Sequence, residues 1–580
     1  MSDKVATSFM RSLCMGQIEQ DVIFPFPTLD ASQKETLHEI AGALESLLGP
    51  RAEDFRHWDV EGEMPMEFID ELRGFGLFGL IIPEDHGGMA LGNMAYSRTL
   101  QEVGRYDASV AVTIGAHSSI GMRGLILFGS DEQKARYLPK LASGEMIAAF
   151  CLTEAGAGSD AAAIKTTAVQ KDGNWVLNGS KLWITNGGMA SFYTVFARTG
   201  EEHGHGKMTA FIVTGDMDGV SFGPHEDKMG LRASFTTTVS FDEVKVPNDN
   251  VLGEIGKGFK VAMQILNSGR TGLGGGSVGG MKRLIELATK QANERKTFGQ
   301  PIASYGLIKE KVGRMVIDCY TSEAVVTMVG GLIDAGYTEY AVEAAISKVY
   351  ATECLSRTAD EALQIAGGNG FMREYPYERI VRDSRINRIF EGTNEILRLF
   401  IALTAMNDVA SQLKELAASM KDVLNDPIKG FGVLSDYARK HAHLRTGMGG
   451  SAKLQGLHPA VKSVAESFET ETRFLAQAVD RILRKHGKNI VGKQFATKRL
   501  AEIMIDLFVL ACTLSRVQAS IEANGAEKAA KEIDILQMFT REARFRMKQN
   551  FRRIDNNDDE PLKALAEDAF DAERFRWDTI

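Results

Sequence analysis

The N-terminal part of the chain carries apolar side chains at helical spacing. Apolar residues recur in this way from Leu37 to Leu48, and Ser32 with Glu35 has the form of a capping box just ahead of them. Similar patterns continue to about Ser143 and are broken by turn clusters such as residues 83–88. The chain is therefore predicted to open with a helical domain.

The hydrophobic period changes to two in the middle of the chain. Between about residues 151 and 247, β-branched and aromatic residues alternate with polar ones, as they do from Trp175 to Trp183. Asn178-Gly179 predicts a hairpin turn, because a type I′ turn needs positive φ at both central residues. A compact β-domain is predicted here.

Helical spacing returns at Gly258 and holds to about residue 405, with a glycine-rich interruption at residues 272–280. Glycine inside a helix costs about 1 kcal/mol relative to alanine, so this run predicts a helix break, close packing or open volume. Residues 406–450 form a mixed basic stretch, and long helices are predicted at 458–524 and 526–550.

The predicted fold class is α+β and mainly helical. A run of strands between helical blocks argues against the alternating βαβ pattern of a doubly wound sheet. We predict an N-terminal helical domain, a central β-domain, a C-terminal helical domain resembling a four-helix bundle, and an extra helical C-terminal domain. Their predicted bounds are residues 30–149, 150–250, 251–405 and 406–580.

Composition and charge narrow the function classes. The net charge of −9 excludes the basic field of a nucleic-acid-binding protein. The five cysteines are scattered without a CxxC, so neither a disulfide framework nor a metal site is expected. No apolar run approaches the ~20 residues of a membrane span, and the first residues lack a signal-peptide stretch. The expected location is the cytoplasm, or the mitochondrial matrix and inner membrane if a transit peptide was removed.

Two segments of the β-domain carry candidate chemistry. Residues 151–160, CLTEAGAGSD, combine small residues that let backbone N–H groups approach a ligand with the hydroxyls of Thr153 and Ser159. A plain glycine-rich turn fits this segment as well. The segment from Trp183 to Asn186 places an aromatic ring and a hydroxyl on one face of a strand, and a core tryptophan is the simpler interpretation.

Two segments of the following helical domain carry groups that suit a phosphate ligand. Arg295 follows a helix, where its guanidinium would pair with a pyrophosphate or lie at a solvated helix end. The segment from Gln364 to Phe371, QIAGGNGF, gives a helix a glycine stop whose bare backbone groups also suit a ligand. Both interpretations stay open for each segment.

Glu391 is the candidate base. It lies between Phe390 and Gly392, ahead of a helix capped by Thr393 or Asn394. Burial in such a setting raises the pKa of a carboxyl and suits it to general-base catalysis. The alternative is a first-turn glutamate that only complements the helix dipole.

Together these segments match one protein family in their order, their spacing and their amino-acid sequences. The sequence resembles the acyl-CoA dehydrogenases, flavoproteins that oxidise the α–β bond of acyl thioesters. The resemblance covers residues from about 30 to 405 and rests on CLTEAGAGSD, on QIAGGNGF followed by ERIVRD, and on FEGTNEILRLF at 390–400. This last run, residues 263–270 and the extension of about 175 residues look most like the very-long-chain subfamily.

The resemblance implies FAD as the cofactor. It implies that the flavin ring lies against residues 150–159 and 183–185, with Thr185 near N5, and that the adenosine end is held partly across a subunit boundary. Ala155-Gly156-Ala157 differs from the sequence typical of the subfamily at these positions, but the hydroxyls of Thr153 and Ser159 are retained. The implied cofactor-binding residues are Phe150, Leu152, Thr153, Gly158, Ser159, Trp183, Ile184, Thr185, Arg295, Phe298, Gln364, Gly367, Gly368, Thr393, Asn394, Glu395 and, in the extension, Arg499.

The resemblance also implies the substrate and the mechanism. An α-proton of a thioester is a poor acid, so the site needs a positioned base and must stabilise an enolate-like oxygen. Glu391 is the implied base, the hydride leaves to flavin N5, and Arg270 either supports the base or forms a structural ion pair. The glycine run at 272–280 then forms an acyl tunnel or breaks its helix. The implied acyl-CoA contacts are Ser159, Phe390, Glu391, Gly392 and Arg270.

The function expected from the resemblance is dehydrogenation of long- or very-long-chain acyl-CoA to trans-2-enoyl-CoA, the first step of fatty acid β-oxidation. The expected assembly is a homodimer that passes electrons to an electron-transfer flavoprotein. The basic amphipathic segment 406–450 predicts peripheral membrane attachment, while a surface loop or inter-subunit packing fits it equally. The alternatives are an acyl-CoA oxidase-type flavoenzyme and a role in respiratory-complex assembly.

Overall fold

The computed structural model describes residues 8–202, 205–422 and 453–579. By their contacts these residues divide into two units. The first is Pro27–Ile396, and the second joins an N-terminal segment ending at Phe26 to the chain from Leu397 onward. Residues 423–452, most of the segment predicted to attach to a membrane, lie outside the described residues. The four-domain division stays a prediction.

Helices precede and follow a central sheet along the chain. The helices before the sheet are α1 (Phe9–Cys14), α2 (Gln20–Ile23), α3 (Ala31–Leu48), α4 (Ala52–Glu61), α5 (Met66–Gly74), α6 (Asn93–Tyr106), α7 (Ala108–Gly115), α8 (Arg123–Phe128) and α9 (Asp131–Ala142). Those after it are α10 (Gly258–Glu294), α11 (Gly306–Asp334), α12 (Ala341–Ala366), α13 (Gly368–Phe371), α14 (Tyr377–Arg385), α15 (Asn394–Ala405), α16 (Asn407–Asp422), α17 (Lys462–His486), α18 (Gln494–Asn524), α19 (Ala530–Asp555) and α20 (Asp559–Ala572).

The predicted β-domain is a sheet of mostly antiparallel strands. Its strands are β1 (Ala148–Cys151), β2 (Thr167–Lys171), β3 (Asn174–Thr185), β4 (Phe192–Glu202), β5 (His205–Thr214), β6 (Val220–Phe222), β7 (Thr236–Pro247) and β8 (Val251–Leu252), and a short hairpin adds β9 (Lys296–Thr297) and β10 (Gln300–Pro301). The order is β6-β7-β3-β2-β4-β5-β8, with β1 pairing in parallel with β4. One apolar cluster of alternate strand residues, including Trp175 and Phe211, forms a core within the sheet.

The hairpin lies at a different dipeptide from the one predicted. Asp172-Gly173, with φ of 51° and 76°, connects β2 to β3, because its backbone meets the positive-φ requirement of a type I′ turn. Asn178-Gly179 lies inside β3, where the register with β7 shifts between Leu177 and Gly179. The Asn178 side chain accepts a hydrogen bond from the N–H of Glu243 across this irregularity, at 2.9 Å. The prediction of a turn at Asn178-Gly179 was therefore wrong.

The glycine run does not interrupt its helix, so the predicted break was wrong. α10 continues from Gly258 to Glu294, and glycines of the run let α6 approach its backbone. A Cβ built on Gly275 would lie 2.5 Å from the Ser97 carbonyl oxygen, and one on Gly279 would lie 2.0 Å from that of Gln101. These two glycines serve close helix packing, not open volume for an acyl chain.

Two predicted helix limits are also corrected. Asp30 caps α3, in a reciprocal capping box with Gln33, so the box lies two residues before the one predicted at Ser32 and Glu35. The long helix predicted at 458–524 is two helices, α17 and α18, separated by a 3₁₀ turn at Gly487–Gly492. Gly487 has φ of 53°, which a continuing α-helix does not adopt.

Three helical stretches are long and apolar enough to cross a membrane, by length and composition alone, which corrects the expectation of no such run. They are Ala108–Phe128, Gly306–Asp334 and Asn394–Glu415. In the first two, 56% and 67% of the apolar window is buried inside the protein. All five cysteines are buried and free.

The helix contact built on glycine predicts a paired stability effect. Gly279→Ala forces a methyl group into the α6 backbone, so we expect a loss of about 1–3 kcal/mol in the free energy of unfolding. Gly276→Ala is the matched control on the same helix, because nothing lies within 4 Å of a Cβ at Gly276. Its expected effect is a gain of up to about 1 kcal/mol from helix propensity. Denaturant titration checks both, and equal effects of the two variants would contradict this packing.

Candidate functional site

The segment before α15 holds the candidate base in an uncommon backbone conformation. Glu391 has φ of 55° and Gly392 has φ of 90°, so two successive residues lie in the left-handed region. This region costs a non-glycine residue about 1–2 kcal/mol, and surrounding contacts must hold it there. Thr393, one of the two predicted caps, accepts a hydrogen bond from the N–H of Ile396 at 3.3 Å.

The Glu391 carboxylate lies against α10. A Cβ built on Gly269 would lie 3.3 and 3.5 Å from its two oxygens, and 2.8 Å from Ile120. The absence of a side chain at Gly269 thus makes room for the carboxylate. Oε2 of Glu391 is inaccessible to solvent and has no hydrogen-bond partner among the described residues. A buried oxygen in this state is available to take a proton from a bound molecule.

Burial raises the pKa of Glu391, and two cations oppose that rise. Arg270 is the stronger of them and Lys348 the second. Arg270 is only 6% exposed, and burial lowers its own pKa to about 10. Its guanidinium donates to Oδ1 of Asn267 at 2.6 Å. Arg270 thus acts on the Glu391 carboxyl electrostatically, and its predicted role in supporting the base stays a prediction.

Lys348 was not predicted from the sequence. It lies on α12, is 0% exposed, and its Nζ donates to the Gly392 carbonyl at 2.9 Å and to Oδ1 of Asn394 at 2.8 Å. Burial lowers the pKa of Lys348 to about 7, and Glu391 acts in the opposite direction. The available signal was a single charge in the otherwise uncharged stretch 344–352 of a helix.

The side chain of Asn394, one of the predicted cofactor residues, is hydrogen-bonded within the chain. Its side chain is 1% exposed, and both ends of the amide are engaged within the chain. Oδ1 accepts from Lys348, and Nδ2 donates to Thr352 and Glu353, each at 3.2 Å. The Asn394 side chain therefore ties the Glu391 segment to α12, and its predicted contact with the cofactor stays a prediction.

The turn at residues 151–160 rests on a buried ion pair. Glu154 accepts hydrogen bonds from the Lys181 ammonium at 2.8 Å and from the Thr166 hydroxyl at 2.6 Å. Lys181 also donates to the Leu152 carbonyl at 3.1 Å. Burial alone would raise the pKa of Glu154, but these hydrogen bonds outweigh it and lower the pKa. Lys181 thereby fixes the backbone of the turn from its buried side. Residues 155, 156 and 158–160 of the turn remain exposed.

The structure joins the two predicted ring-binding segments. The N–H of Leu182 donates to the Thr153 carbonyl at 2.9 Å, which places β3 beside the turn. Trp183 has φ of 56° and is 63% exposed, so the interpretation of a core tryptophan was wrong. Nothing lies within 4 Å of a Cβ built on Gly158, so the turn is open on this side. Phe150 and Thr185 are half-buried, Ser159 is exposed, and Leu152 and Ile184 are buried.

An apolar cluster connects this turn to the base. Ile120, which lies near the Glu391 carboxylate, packs against a buried cluster that contains Leu152 and Ala157. Ile120 belongs to the π-helical turn Ala116–Gly121, an element that occurs often at functional sites. The carboxylate and the open turn therefore border one apolar region.

The remaining predicted cofactor residues lie on the surface of the first unit, except for one. Phe298 is 96% exposed. The other exposed residues of this set are Arg295, Gln364, Gly367, Gly368 and Glu395. Arg499 lies in the second unit, where its guanidinium forms an ion pair with Asp559 at 2.8 Å. The cofactor contacts of all these residues stay predictions.

Family models and curated relatives together match nearly the whole chain. Three family models, the acyl-CoA dehydrogenase N-terminal, middle and C-terminal domains, match residues 31–145, 149–244 and 256–406. A fourth, described as "ACAD9/ACADV, C-terminal domain", matches residues 459–575. The human mitochondrial very long-chain specific acyl-CoA dehydrogenase is 41% identical over 568 residues, covering 95% of this chain and 84% of that protein.

Two solved structures extend the comparison to three dimensions. An acyl-CoA dehydrogenase from Bacillus anthracis, complexed with FAD, has a TM-score of 0.80 and 33% identity, covering 97% of this chain and 95% of that one. A chain from a structure described as the electron transferring flavoprotein of Acidaminococcus fermentans has a TM-score of 0.62 and 34% identity. It covers 65% of this chain and 98% of that one. Sequence, architecture and site together show that this chain belongs to the acyl-CoA dehydrogenase family.

Proposed function

We propose that this acyl-CoA dehydrogenase converts long- or very-long-chain acyl-CoA to trans-2-enoyl-CoA, with Glu391 as the base that removes the α-proton. The observation that carries the proposal is the Glu391 carboxylate, whose Oε2 is buried without a hydrogen-bond partner among the described residues. Its pKa is raised by burial, which brings a carboxyl closer to the range where general bases work at neutral pH.

FAD is the cofactor, and the open surfaces of the site fit its ring and phosphates. The turn at 151–160 offers bare backbone at Gly158, and Trp183 presents an exposed indole beside it. When bound, FAD supplies the acceptor for the β-hydride. We propose that Thr153, Ser159 and Thr185 donate hydrogen bonds to the ring, and that Arg295 pairs with the pyrophosphate.

The chain's own residues would prepare the substrate for deprotonation. We propose that the bound substrate and the apolar region that Ile120 shares with Leu152 and Ala157 together exclude water from the carboxylate, which would strengthen electrostatic interactions within the site. We propose that the N–H of Glu391 donates to the thioester oxygen and stabilises the negative charge that develops there. Arg270 then keeps part of the Glu391 population ionised before the proton is taken.

We propose a homodimer and an electron-transfer flavoprotein as the protein partners. Phe298 is 96% exposed beside the exposed Arg295, which suits a surface completed by a second copy and the adenosine end of FAD. The acceptor proposal draws on the family and on the likeness to the Acidaminococcus fermentans chain. Peripheral membrane attachment through 406–450 and the cellular location stay predictions.

The proposed function first predicts that acyl-CoA bleaches the bound flavin through Glu391. Under anaerobic conditions, C16 and C20 acyl-CoA should bleach the yellow enzyme faster than C8 acyl-CoA does. Glu391→Gln should keep the flavin colour and lower the rate of bleaching at least about 100-fold, since a general base contributes about 10²–10⁴. Stopped-flow absorbance measures both rates. Bleaching by the variant at the wild-type rate would rule out Glu391 as the base.

A second prediction concerns the open turn. Gly158→Val adds a side chain where no protein atom lies within 4 Å, so the fold should tolerate it, while the cofactor should be excluded. We expect thermal stability of the flavin-free protein within about 0.5 kcal/mol of wild type, with at least a tenfold weaker FAD affinity. Gly42→Ala, on α3 and equally free of neighbours, is the control. Full FAD occupancy in Gly158→Val would exclude contact between this turn and the cofactor.

A third prediction separates a dehydrogenase from an oxidase. After reduction by acyl-CoA, the flavin should be reoxidised rapidly by an electron-transfer flavoprotein and slowly by dissolved oxygen. Stopped-flow mixing of the reduced enzyme with each acceptor gives both rates. Reoxidation by oxygen at the turnover rate would support the oxidase-type alternative instead.

A further inference from the structure

Lys348 of α12 contacts the chain segment that directly follows Glu391. The lysine is 0% exposed, and α12 presents its ammonium to two acceptors, the Gly392 carbonyl at 2.9 Å and Oδ1 of Asn394 at 2.8 Å. These acceptors flank Thr393 and follow Glu391 directly in the chain. A single buried ammonium therefore spans the segment that carries the carboxylate.

This contact acts on a backbone that needs support. Glu391 and Gly392 are both in the left-handed region, and a strained conformation persists only where neighbouring contacts hold it. The Gly392 carbonyl fixes the orientation of the peptide that follows the strained pair. Asn394 carries the support further, since its amide also donates to Thr352 and Glu353 of α12.

The charge of Lys348 is not neutralised by its hydrogen-bond partners. A backbone carbonyl and an asparagine amide are both neutral, so the ammonium field reaches Glu391, on which Lys348 acts in the direction of ionisation. Four charged groups act on Lys348 itself: Glu391, Arg270, Glu353 and Glu395. Those that act on Glu391 are Arg270 and Lys348, and the buried phenol of Tyr96 interacts with it as well.

We propose that Lys348 is a positioning residue of the dehydrogenation site, which holds the Glu391 segment in its active backbone conformation and keeps the Glu391 carboxyl ionisable within an apolar region. The proposal rests on the role proposed for Glu391 as the base. Arg270 acts on the same carboxyl from α10, so two different helices each supply a cation that favours the ionised form of the base.

The test removes the charge of Lys348 and follows Glu391 directly. Lys348→Gln keeps a hydrogen-bond donor for the segment and loses the positive charge. The protonated-carboxyl infrared band of Glu391 is titrated in the flavin-loaded enzyme, as the difference between each protein and the same protein carrying Glu391→Gln. We expect the titration midpoint to rise by about one pH unit in Lys348→Gln, because an ionised carboxyl loses a favourable charge.

The kinetic readout should move in the same direction. A higher pKa leaves less of the Glu391 carboxylate ionised, so the ascending limb of the bleaching rate against pH should shift to higher pH by the same amount. At a pH below the wild-type midpoint the rate should fall about tenfold. Lys311→Gln is the control, because Lys311 is a partly exposed lysine on α11 paired with Glu361. It should leave the midpoint and the limb unchanged.

A second variant is needed in case Lys348→Gln does not fold. Lys348→Met removes the charge and fills the buried space with an apolar side chain of similar length, so the Glu391 midpoint should again rise. The proposal is overturned if a variant that folds leaves both the Glu391 titration midpoint and the ascending limb of the bleaching rate unchanged. The infrared titration needs no substrate turnover. If acyl-CoA fails to bleach the wild-type enzyme, the proposed function fails, while the midpoint still decides the role of Lys348.

Discussion

The proposed function depends on keeping the Glu391 carboxyl ionisable although one of its oxygens is inaccessible to solvent. An ionised carboxylate removed from water is destabilised by several kcal/mol unless charges or hydrogen bonds replace its hydration. Glu391 has an oxygen without a hydrogen-bond partner among the described residues, so electrostatic support from buried cations matters most. Arg270 comes from α10 and Lys348 from α12. The mutual packing of these two helices is therefore a condition for the chemistry proposed for the site.

The position of α10 depends in turn on small residues. Gly269 leaves room for the Glu391 carboxylate, while Gly275 and Gly279 let α6 approach the same helix more closely than any side chain would permit. Arg270 follows Gly269 directly, so a change in the depth or rotation of α10 moves the cation and the space for the carboxylate together. The glycine-rich sequence of α10 lowers its helix propensity, and tertiary packing offsets that loss.

The sequence predicted the order of helical blocks and strands, because hydrophobic periodicity reports which face of an element is buried. It also predicted that burial raises the pKa of Glu391, which agrees with the direction found in the structure, while the roles of Glu391 and Arg270 in the reaction stay predictions. It did not predict Lys348, because a lysine inside a helix is nearly always a surface residue and its partners lie 44 and 46 positions later in the chain. The misplaced hairpin has a similar cause. Asn-Gly and Asp-Gly both suit a type I′ turn, and only the pairing of β3 with β7 decides between them.

A buried lysine supports each of the two loops of the candidate site, the turn at 151–160 and the segment that follows Glu391. The two lysines differ in the charge of their partners. Lys181 and Lys348 are both fully buried, and each bonds a backbone carbonyl and one side-chain oxygen of the loop above it. Lys181 has a carboxylate partner, Glu154, so its charge is neutralised within the pair. Lys348 has the neutral amide of Asn394, so below its pKa of about 7, where the lysine is mostly protonated, its positive charge acts on Glu391. A long, flexible ammonium suits both positions, because its three donors satisfy acceptors that do not lie in one plane, as the guanidinium of arginine would require. Lys181 thus only fixes the turn at 151–160. Lys348 fixes the segment of the proposed base and also acts on that base electrostatically.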